Sequence, residues 1–437
     1  MTGLKTFICI AASILIFQSS VNAVPLQQNR ALVKRGSKLN GKFLHITDIH
    51  IDPNYKEGAD PRSLCHTYGK KRSSESGKFG ALGTDCDSPV PLVRATFDFL
   101  KNEINDIDFI IYTGDTVRHD RDDNLPRTQD EVLDGHKSVM KYFQSAYDTK
   151  YVPYVPTIGN NDVFDHNDVK INDKIFGHLE TIWEPLGLNL TDEFNSGGYF
   201  VQQVIDDQLS IINLNSMYFF EKNNEASDCD KSDSPGAIQL KWLEKTLKSF
   251  SEKDGHQAYI MSHVPPIDDD GSKLYKSTCY KQYFNLLGKY SGVIAGHFTG
   301  HTNNDNLNVV VPGKKDNYDF IAAGGKKLNK KDVDSAGVAL FNSPSIIPVN
   351  NPALRVYSYD VSGSDYPVGT IRDWEQYYVD LDKANNDGSV KFELEYTASK
   401  LYNVNHFDGK GVGQAVLNLA DDKDARKLYK KYISVSV

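Results

Sequence analysis

Five short polar motifs constrain this chain most, because each one follows an apolar run typical of a buried strand. They are Asp48-Ile49-His50, Gly114-Asp115, Gly159-Asn160, His263 and Gly300-His301. In open α/β sheets, ligands bind beyond the carboxyl ends of the strands, so these motifs are predicted to meet at one sheet edge. Asp, Asn and His side chains together supply the oxygen and nitrogen donors used by two-metal sites that work on phosphate esters or anhydrides.

The order of the predicted elements favours an α/β fold. Strands and helices alternate in the first part of the chain, and strand pairs follow, which fits a sandwich of two sheets with outer helices. Strands are predicted at residues 42–47, 107–113, 152–158, 198–204, 209–214, 258–262, 292–295, 309–311, 320–323, 338–341, 355–359, 376–381 and 390–396, and helices at 90–104, 132–143, 238–243 and 421–432.

The length and net charge of the chain limit the number of domains and the classes of partner. The chain has 437 residues, enough for one large α/β domain with extensions or for two domains. Its formal net charge of −9 argues against general nucleic-acid binding, which favours a basic chain. We predict a catalytic domain at residues 41–310 and a C-terminal extension at 311–437 that packs on it.

The N-terminus predicts entry into the secretory pathway. Lys5 precedes an apolar run at residues 7–17, and Val21-Asn22-Ala23 is a small-residue cleavage pattern. The run is shorter than the roughly 20 residues that span a bilayer, so residues 1–23 are predicted to be a signal peptide. An uncleaved signal anchor is the alternative, and it is the only membrane attachment predicted. Residues 24–40 form a linker, or a propeptide if the chain is cut at Lys34-Arg35.

Four cysteines remain outside the predicted signal peptide: Cys65, Cys86, Cys229 and Cys279. An even number in a secreted chain predicts two disulfides, for which three pairings are possible. We prefer Cys65–Cys86 and Cys229–Cys279, because each would close a long loop near the proposed site. Asn189-Leu190-Thr191 is a single N-glycosylation sequon.

The spacing of the polar residues suits metal binding. Asp48 and His50 are two residues apart, so on a strand both would face the same side. Asp115 follows a glycine after a buried strand, and a carboxylate there can bridge two cations about 3.5–4 Å apart. Any one of these residues alone is as well explained by a turn or a helix cap.

The order and spacing of these motifs resemble the calcineurin-like metallophosphoesterase family over about residues 42–305. The resemblance implies a four-layer α/β/β/α sandwich with a mixed β/α C-terminal extension. It also implies two divalent metal ions, whose identity is open among zinc, manganese, iron, cobalt and magnesium. Asp48 and His50 match ligands of the first metal and Asp115 matches the bridging carboxylate, whereas the second metal's ligands match Asn160, His263 and His301.

Two positions depart from the broad family pattern. Many members have a histidine that protonates the leaving group where this chain has Asn161, and a second metal-binding histidine where it has Asn303. Asparagine cannot act as a general acid, but the Asn303 amide can ligate a metal weakly or leave the position to water. His119 is the remaining candidate for the catalytic acid, with a supporting contact or a substrate contact as the alternative.

Longer strings are similar to one group within the family, the fungal endopolyphosphatases, which share both asparagines. Examples are residues 43–48, 84–89 and 126–128. This resemblance implies that internal phosphoanhydride bonds of inorganic polyphosphate are hydrolysed by a metal-bridging hydroxide. It implies a vacuolar lumen or membrane location, with an extracellular one as the alternative. Side chains predicted to hold substrate phosphates are Arg118, Arg121, Arg127 and Asn161, and Lys70-Lys71-Arg72 and Lys326-Lys327 extend that surface unless they are ordinary solvated charges.

Two other functions compete with this one. The cysteine-containing loop and residues 355–360 resemble the secreted acid sphingomyelinase group, which implies a phosphodiesterase acting on a phospholipid or a nucleotide. The third function is an inactive polyphosphate-binding protein, suggested by Asn161 and Asn303. The sequence makes no prediction of the oligomeric state.

Overall fold

The computed structural model describes residues 39–69, 76–315, 317–324 and 330–436. The signal peptide, the linker up to residue 38 with Lys34-Arg35, Lys70-Lys71-Arg72 and Lys326-Lys327 lie outside the described residues, so those assignments stay predictions. Within the described part of the chain, no helix has the length and apolar character needed to cross a membrane.

Fifteen strands and eleven α-helices make up the described residues. The strands are β1 (Lys42–Ile46), β2 (Ile51–Asp52), β3 (Ser88–Pro89), β4 (Phe109–Tyr112), β5 (Tyr154–Pro156), β6 (Phe200–Ile205), β7 (Leu209–Asn213), β8 (Gln257–Met261), β9 (Ile294–Thr299), β10 (Asn306–Pro312), β11 (Tyr318–Ala322), β12 (Ala339–Asn342), β13 (Ala353–Tyr359), β14 (Ile371–Tyr378) and β15 (Glu393–Thr397). The helices are α1 (Val90–Glu103), α2 (Gln129–Ala146), α3 (Lys174–Trp183), α4 (Asp192–Gly197), α5 (Pro235–Ser251), α6 (Ser277–Lys289), α7 (Lys330–Asp334), α8 (Leu381–Asp387), α9 (Ala398–Tyr402), α10 (Gly409–Asp421) and α11 (Lys423–Tyr432).

Two mixed sheets face each other at the centre of the molecule. One has the strand order β15-β14-β13-β1-β4-β5 and the other β11-β10-β12-β9-β8-β7-β6. Strand β1 is buried on both faces, as its apolar sequence predicts. The Phe43 ring lies 5.5 Å from the rings of Tyr259 and Phe298, so it packs against the opposite sheet.

Helices cover the outer face of each sheet. Phe143 of α2 stacks on Tyr154 of β5 at 4.1 Å, and Tyr283 of α6 lies 5.8 Å from His297 of β9. The predicted α/β sandwich is therefore confirmed. The apolar spacing predicted α1 well, because its buried side chains recur on one face.

Several helices were not predicted, namely α3, α6 and α10 among the longer ones. In α10 the reason is its glycines, which lower helix propensity and hide the apolar face. Packing requires one of them, since a Cβ on Gly409 would lie 1.8 Å from the Gly337 carbonyl oxygen. The tertiary contact therefore outweighs the local preference of the sequence.

C-terminal residues complete both sheets. Strand β13 pairs antiparallel with β1, placing Tyr357 opposite Phe43, and β12 lies between β10 and β9. The boundary predicted at residue 310 falls inside β10. The division into a catalytic domain and an extension stays a prediction, but in the structure the strands of both parts form common sheets.

Both preferred disulfides form. Cys65–Cys86 and Cys229–Cys279 have Cα–Cα distances of 5.7 Å and 4.8 Å. The first ties together the long loop between β2 and β3. The second joins the segment before α5 to α6. Asn189 of the sequon is half-buried, and its glycosylation stays a prediction.

A buried ionic network joins the C-terminal strands to the segment before β10. Arg355 and Asp305, each 1% exposed, form an ion pair. Arg355 also donates from Nε to Gln376 Oε1 (2.8 Å), and Gln376 donates in turn to Glu395 Oε2 (2.6 Å). Burial, with a smaller contribution from the charge of Asp305, raises the pKa of Glu395 to about 8, from an ordinary value of 4.5.

We expect this carboxyl group to make the protein more stable in acid. Folded Glu395 keeps its proton up to about pH 8, whereas the unfolded chain releases it near pH 4.5, so stability falls as the pH rises between these values. The contribution is up to about 5 kcal/mol. Urea unfolding at pH 5 and pH 8 should show a smaller pH difference in Glu395→Gln than in the wild type. The matched control is Glu393→Gln, because Glu393 lies on the same strand as Glu395 but forms an exposed ion pair with Lys391. An equal pH difference in all three proteins would contradict the prediction.

Candidate metal centre

The five motifs lie together beyond the carboxyl ends of their strands. Asp48 follows β1, Asp115 follows β4, Asn160 follows β5, His263 follows β8 and His301 follows β9. Because β1, β4 and β5 are parallel, as are β7, β8 and β9, these ends reach one edge of the sandwich. The clustering that the sequence predicts is therefore a consequence of the sheet topology.

Unusual backbone conformations aim these side chains. Four of these residues have backbone φ angles in the left-handed region, which residues other than glycine rarely adopt. They are Asp48 (50°), His50 (43°), Asp115 (56°) and His301 (72°). Such conformations cost energy and persist only where the surrounding structure holds them, and they are found most often at functional sites.

Gly300 lets two of the loops approach closely. A Cβ at this position would lie 2.1 Å from Thr47 Oγ1 and 2.5 Å from Asp48 Oδ2. In the native chain, the backbone N–H of His301 donates to Asp48 Oδ2 at 3.0 Å. A side chain at residue 300 would push the Asp48 loop away from the His301 loop.

We expect Gly300→Ala to reduce metal binding, and with it any turnover that depends on the metal, because the methyl group collides with the Asp48 carboxylate. The loss should be about tenfold to a hundredfold, as for other changes that misplace metal ligands. Gly292→Ala is the matched control, since a Cβ there meets nothing within 4 Å. Metal content by elemental analysis and turnover of a phosphodiester probe would measure both effects; equal values for the two variants would refute the prediction.

The first group of ligand atoms comes from Asp48, His50 and Asp115, which are at most 2% exposed. His50 Nε2 lies 3.3 Å from Asp115 Oδ2 and 3.7 Å from Asp48 Oδ1. The other ring nitrogen of His50, Nδ1, donates to the Val117 carbonyl oxygen at 3.0 Å. That bond fixes the tautomer and leaves the Nε2 lone pair directed toward the carboxylates.

The second group contains Asp115, His263 and His301, joined by Asn160. Asn160 Oδ1 lies 2.9 Å from His263 Nε2 and 2.8 Å from His301 Nδ1. His263 Nε2 is also 3.3 Å from Asp115 Oδ2, and its Nδ1 donates to the Thr113 carbonyl oxygen at 2.7 Å. Asp115 thus belongs to both groups, as a bridging carboxylate would.

These atoms fit metal ions. Ligands bound to one ion at about 2.1 Å lie about 3.0–3.4 Å apart, close to the separations within each group. Asp48 Oδ1 is buried and accepts no hydrogen bond from the described residues. Although burial opposes protonation of His263, the Asp115 carboxylate raises the pKa of this histidine to about 9. The site therefore attracts positive charge, which a divalent cation would supply.

Asn161 and Asp162 hold the Asp115 carboxylate and its loop in place. The backbone N–H and Nδ2 of Asn161 donate to the two oxygens of Asp115 at 2.8 Å and 2.7 Å. Asp162 accepts from the backbone N–H groups of Asp115, Thr116 and Gly159. The predicted substrate-binding role of Asn161 therefore needs correction, because its amide nitrogen is occupied by Asp115 and the residue is fully buried.

His119 lies beside the first group and forms a dyad with Asp87. Its ring stacks on His50 with centroids 4.3 Å apart, and its Nδ1 donates to Asp87 Oδ1 at 2.6 Å. The His119 backbone N–H donates to the other oxygen of Asp87 at 2.9 Å. Asp87 therefore orients the imidazole, which leaves Nε2 available for another partner.

Sequence reasoning missed three residues of this site: Asp87, Asp162 and His166. Asp87 lies in the string 84–89 that carries the resemblance, and Asp162 directly follows Asn161. His166 lies within an ordinary polar loop, and no pattern in the sequence indicates it. In the structure, Asn160 donates from Nδ2 to His166 Nε2 at 3.0 Å, which directs Asn160 Oδ1 toward the histidines of the second group.

Two of the arginines assigned to the substrate have structural roles instead. Arg118 is 1% exposed and donates to both carboxylate oxygens of Glu131. Buried Arg127 donates to the carbonyl oxygens of Arg118, Asn161 and Val163. The Arg118 guanidinium and both terminal nitrogens of Arg127 therefore donate to protein acceptors, and the buried Nε of Arg127 has no partner among the described residues.

Arg121 and Asn303 keep their predicted roles as proposals. Arg121 remains exposed and has one 3.3 Å contact with exposed Asp85. Asn303 follows His301 on the same loop with a φ of 60°, and its Oδ1 is buried without a hydrogen-bond partner among the described residues. An unpaired buried oxygen here suits a metal ligand.

Comparison with known proteins identifies the family. The description "Calcineurin-like phosphoesterase" matches residues 41–303, and "Acid sphingomyelin phosphodiesterase C-terminal region" matches residues 333–437. The chain belongs to the calcineurin-like phosphoesterase family. The predicted family is confirmed. Enzymes of this family contain two metals, in agreement with the two candidate groups that share Asp115.

Curated relatives carry two different names. An "Endopolyphosphatase" of Cryptococcus neoformans is 32% identical, covering 78% of this chain and 60% of the relative. The Neurospora crassa "Endopolyphosphatase" is also 32% identical, covering 82% and 57%. The Bos taurus "Cyclic GMP-AMP phosphodiesterase SMPDL3A" is 29% identical, covering 91% and 84%. The chain thus spans about three fifths of the length of these two fungal relatives.

Proposed function

We propose that this protein is a metal-dependent endopolyphosphatase of the secretory pathway. The single observation that carries the metal-dependent chemistry is the pair of ligand groups sharing Asp115. The fungal relatives named endopolyphosphatase support the substrate. Water adds across one P–O–P bond of the polymer, so one P–O bond forms, the bridging P–O bond breaks, and two phosphate ends result.

We propose that Asp48, His50, Asp115, Asn160, His263 and His301 hold two divalent ions, with Asn303 as a weaker ligand. Bound metals of this kind lower the pKa of water and neutralise the charge of the phosphate. The protein's contribution is to fix the ligands: hydrogen bonds from His50 and His263 to carbonyl oxygens set their tautomers, and Asn161 holds Asp115. The identity of the metals stays open among the five named for the family.

We propose that His119 assists the leaving group. Asp87 occupies its Nδ1, so Nε2 is the atom that donates a proton. The leaving group of a phosphoanhydride is itself a stabilised phosphate, which needs less protonation than an alkoxide. This difference explains how the family's usual acid can be replaced by Asn161.

We expect His119→Gln to lower the rate more for substrates with poor leaving groups. For a phosphodiester with an alkyl leaving group the loss should be about a hundredfold or more, the usual size of a general-acid contribution. For a phosphoanhydride the loss should be smaller, because little protonation is required. Measuring kcat for both substrates gives the comparison. His178→Gln, which changes a histidine on α3, is the control; equal losses for both substrates would exclude proton donation by His119.

A gel assay of long-chain polyphosphate tests the proposed function. Purified protein is incubated with and without added divalent metal, beside a His263→Gln variant checked for folding by circular dichroism. Metal-dependent shortening through intermediate lengths, lost in the variant, supports an endopolyphosphatase. Polyphosphate with both ends chemically capped should also be cut, because an enzyme that trims ends cannot act on it.

A phosphodiesterase acting on a nucleotide or phospholipid is the second candidate. The relative named cyclic GMP-AMP phosphodiesterase and the C-terminal match at residues 333–437 favour it. Turnover of a phosphodiester without any shortening of polyphosphate would move the assignment to this function. Bound polyphosphate without turnover of either substrate would instead support the inactive binding protein.

A location in the vacuole, or outside the cell, belongs to the same proposal. The two disulfides are typical of oxidising compartments. Greater stability in acid, expected from Glu395, suits an acidic lumen.

A further inference from the structure

Lys222 is an exposed cation beside the second ligand group, and the sequence analysis did not single it out. Its Nζ lies 5.8 Å from the centroid of the Phe220 ring, whose centroid is 5.2 Å from that of His301. Among the described residues, Lys222 has no ion-pair partner.

The turn that carries Lys222 is held firmly. Lys276 donates from Nζ to the carbonyl oxygens of Phe220, Glu221 and Asn223 at 2.8–3.2 Å. Asn223 is buried and donates to the carbonyl oxygens of Val169 and Met217, both at 2.9 Å. A cation presented from a fixed turn loses little backbone freedom when it binds a ligand.

Arg121 is the corresponding cation beside the first ligand group. It lies two residues after His119, whose ring stacks on His50. The only ion pair of Arg121 within the described chain, with Asp85 at 3.3 Å, is exposed on both sides. Water weakens such a pair, so a phosphate can replace Asp85 at little cost.

Negative charge surrounds these two cations, so they are the places near the site that attract a polyanion. The chain carries a net charge of −9, and three consecutive aspartates, Asp268, Asp269 and Asp270, follow the His263 loop. Asn304, near His301, donates to Asp269 Oδ2 at 2.9 Å, which places this acidic loop beside the metal centre. Glu221 lies next to Lys222 in the sequence. A polyanion is repelled by these carboxylates and attracted by Lys222 and Arg121.

We propose that Arg121 and Lys222 bind the phosphates on either side of the anhydride that is cut. A polymer bound by Arg121 on one side and by Lys222 on the other places an internal bond, rather than a chain end, between the two ligand groups. This inference rests on the proposed function and adds the residues that determine the site of cleavage. Arginine and lysine both bind phosphate, as a bidentate fork and as a point charge.

Kinetics of Arg121→Ala, Lys222→Ala and the double variant test the inference. The substrates are long-chain polyphosphate and tripolyphosphate, and the quantity compared is the ratio of their kcat/KM values. Each single change should lower this ratio about tenfold through a higher KM for the polymer, and the double variant should lower it further. Arg121→Lys and Lys222→Arg keep the charge and should restore most of the ratio. Lys245→Ala, an exposed lysine on α5, is the control and should leave the ratio unchanged.

Salt dependence gives a readout that a structural role would not move. The wild-type kcat/KM for the polymer should fall as salt rises, and the fall should be less steep in the double variant. The inference is wrong if the double variant keeps the wild-type ratio and the wild-type salt dependence. In that case, cleavage of capped polyphosphate by the wild-type protein would still support the proposed function. A wild-type protein that cuts no polyphosphate would overturn both.

Discussion

Replacing Asp115 with asparagine should remove most of the metal that the two ligand groups are proposed to hold, and nearly all of the proposed activity. Asp115 Oδ2 lies 3.3 Å from His50 Nε2 and 3.3 Å from His263 Nε2, so one carboxylate serves both ligand groups. An amide has the same shape but no negative charge, and it offers only one oxygen in place of two. We expect kcat for the proposed hydrolysis of polyphosphate to fall about a thousandfold or more.

Metal content and kinetics measured on the same preparation check this expectation. Elemental analysis should give close to two metals per wild-type chain and fewer than one in Asp115→Asn. Asp123→Asn is the matched control, because Asp123 is exposed in the loop after β4 and belongs to neither ligand group. A variant that keeps two metals and full activity would show that Asp115 does not bridge them.

Replacing Arg355 with methionine should destabilise the whole protein. The change leaves Asp305 buried at 1% exposure without its cation, and removing one partner of a buried pair typically costs about 3–5 kcal/mol. Methionine keeps much of the side-chain volume, so the loss reports the charge rather than a cavity. Urea unfolding of the metal-free protein would measure it.

Two further variants separate the buried pair from an ordinary surface pair. Arg372→Met breaks an ion pair with Asp360 that is partly exposed, and its cost should stay below about 1 kcal/mol. The double variant Arg355→Met with Asp305→Asn leaves no unpaired charge and should recover part of the stability. If Arg355→Met were no more harmful than Arg372→Met, the buried network would contribute nothing to folding.

Loss of Arg355 should also weaken metal binding, because the segment between β12 and β13, which leads into the Arg355 strand, holds the ligand loops. Asp305 lies two residues after Asn303, and Asn350 donates from Nδ2 to the Asn303 carbonyl oxygen at 2.9 Å. On the other loop, the backbone N–H of Ile347 donates to the Asp48 carbonyl oxygen at 2.9 Å. The residues that match the acid sphingomyelinase C-terminal description therefore support a metal centre built by residues 48–301.

The sequence predicted the strands that carry the motifs much better than the C-terminal architecture. β1 and β4 are buried apolar runs, and each ends in a polar motif that local patterning reveals. By contrast, the position of β13 beside β1 depends on a pairing between residues more than 300 positions apart, such as Phe43 with Tyr357. No local pattern specifies such a pairing, since either strand could pair with several others.

The arginines near His119 show the same limit within the site. Arg118, Arg121 and Arg127 lie within ten residues, and by sequence all three are equally plausible phosphate ligands. Burial separates them: Arg118 and Arg127 satisfy protein groups, whereas Arg121 remains at the surface. Lys222 had no motif to indicate it, because its importance comes from the neighbouring Phe220 and His301.

By itself the sequence determined the family, the α/β class and the six main candidate ligands, whereas it left three disulfide pairings possible. These features are encoded by residue types at fixed spacing, which a chain carries whether or not it is folded. Only the tertiary structure decided that Asn161 holds the Asp115 carboxylate, that Asp87 orients His119, and that two of the three arginines are structural. Those outcomes depend on distances and burial between distant segments, and packing of the two sheets sets both.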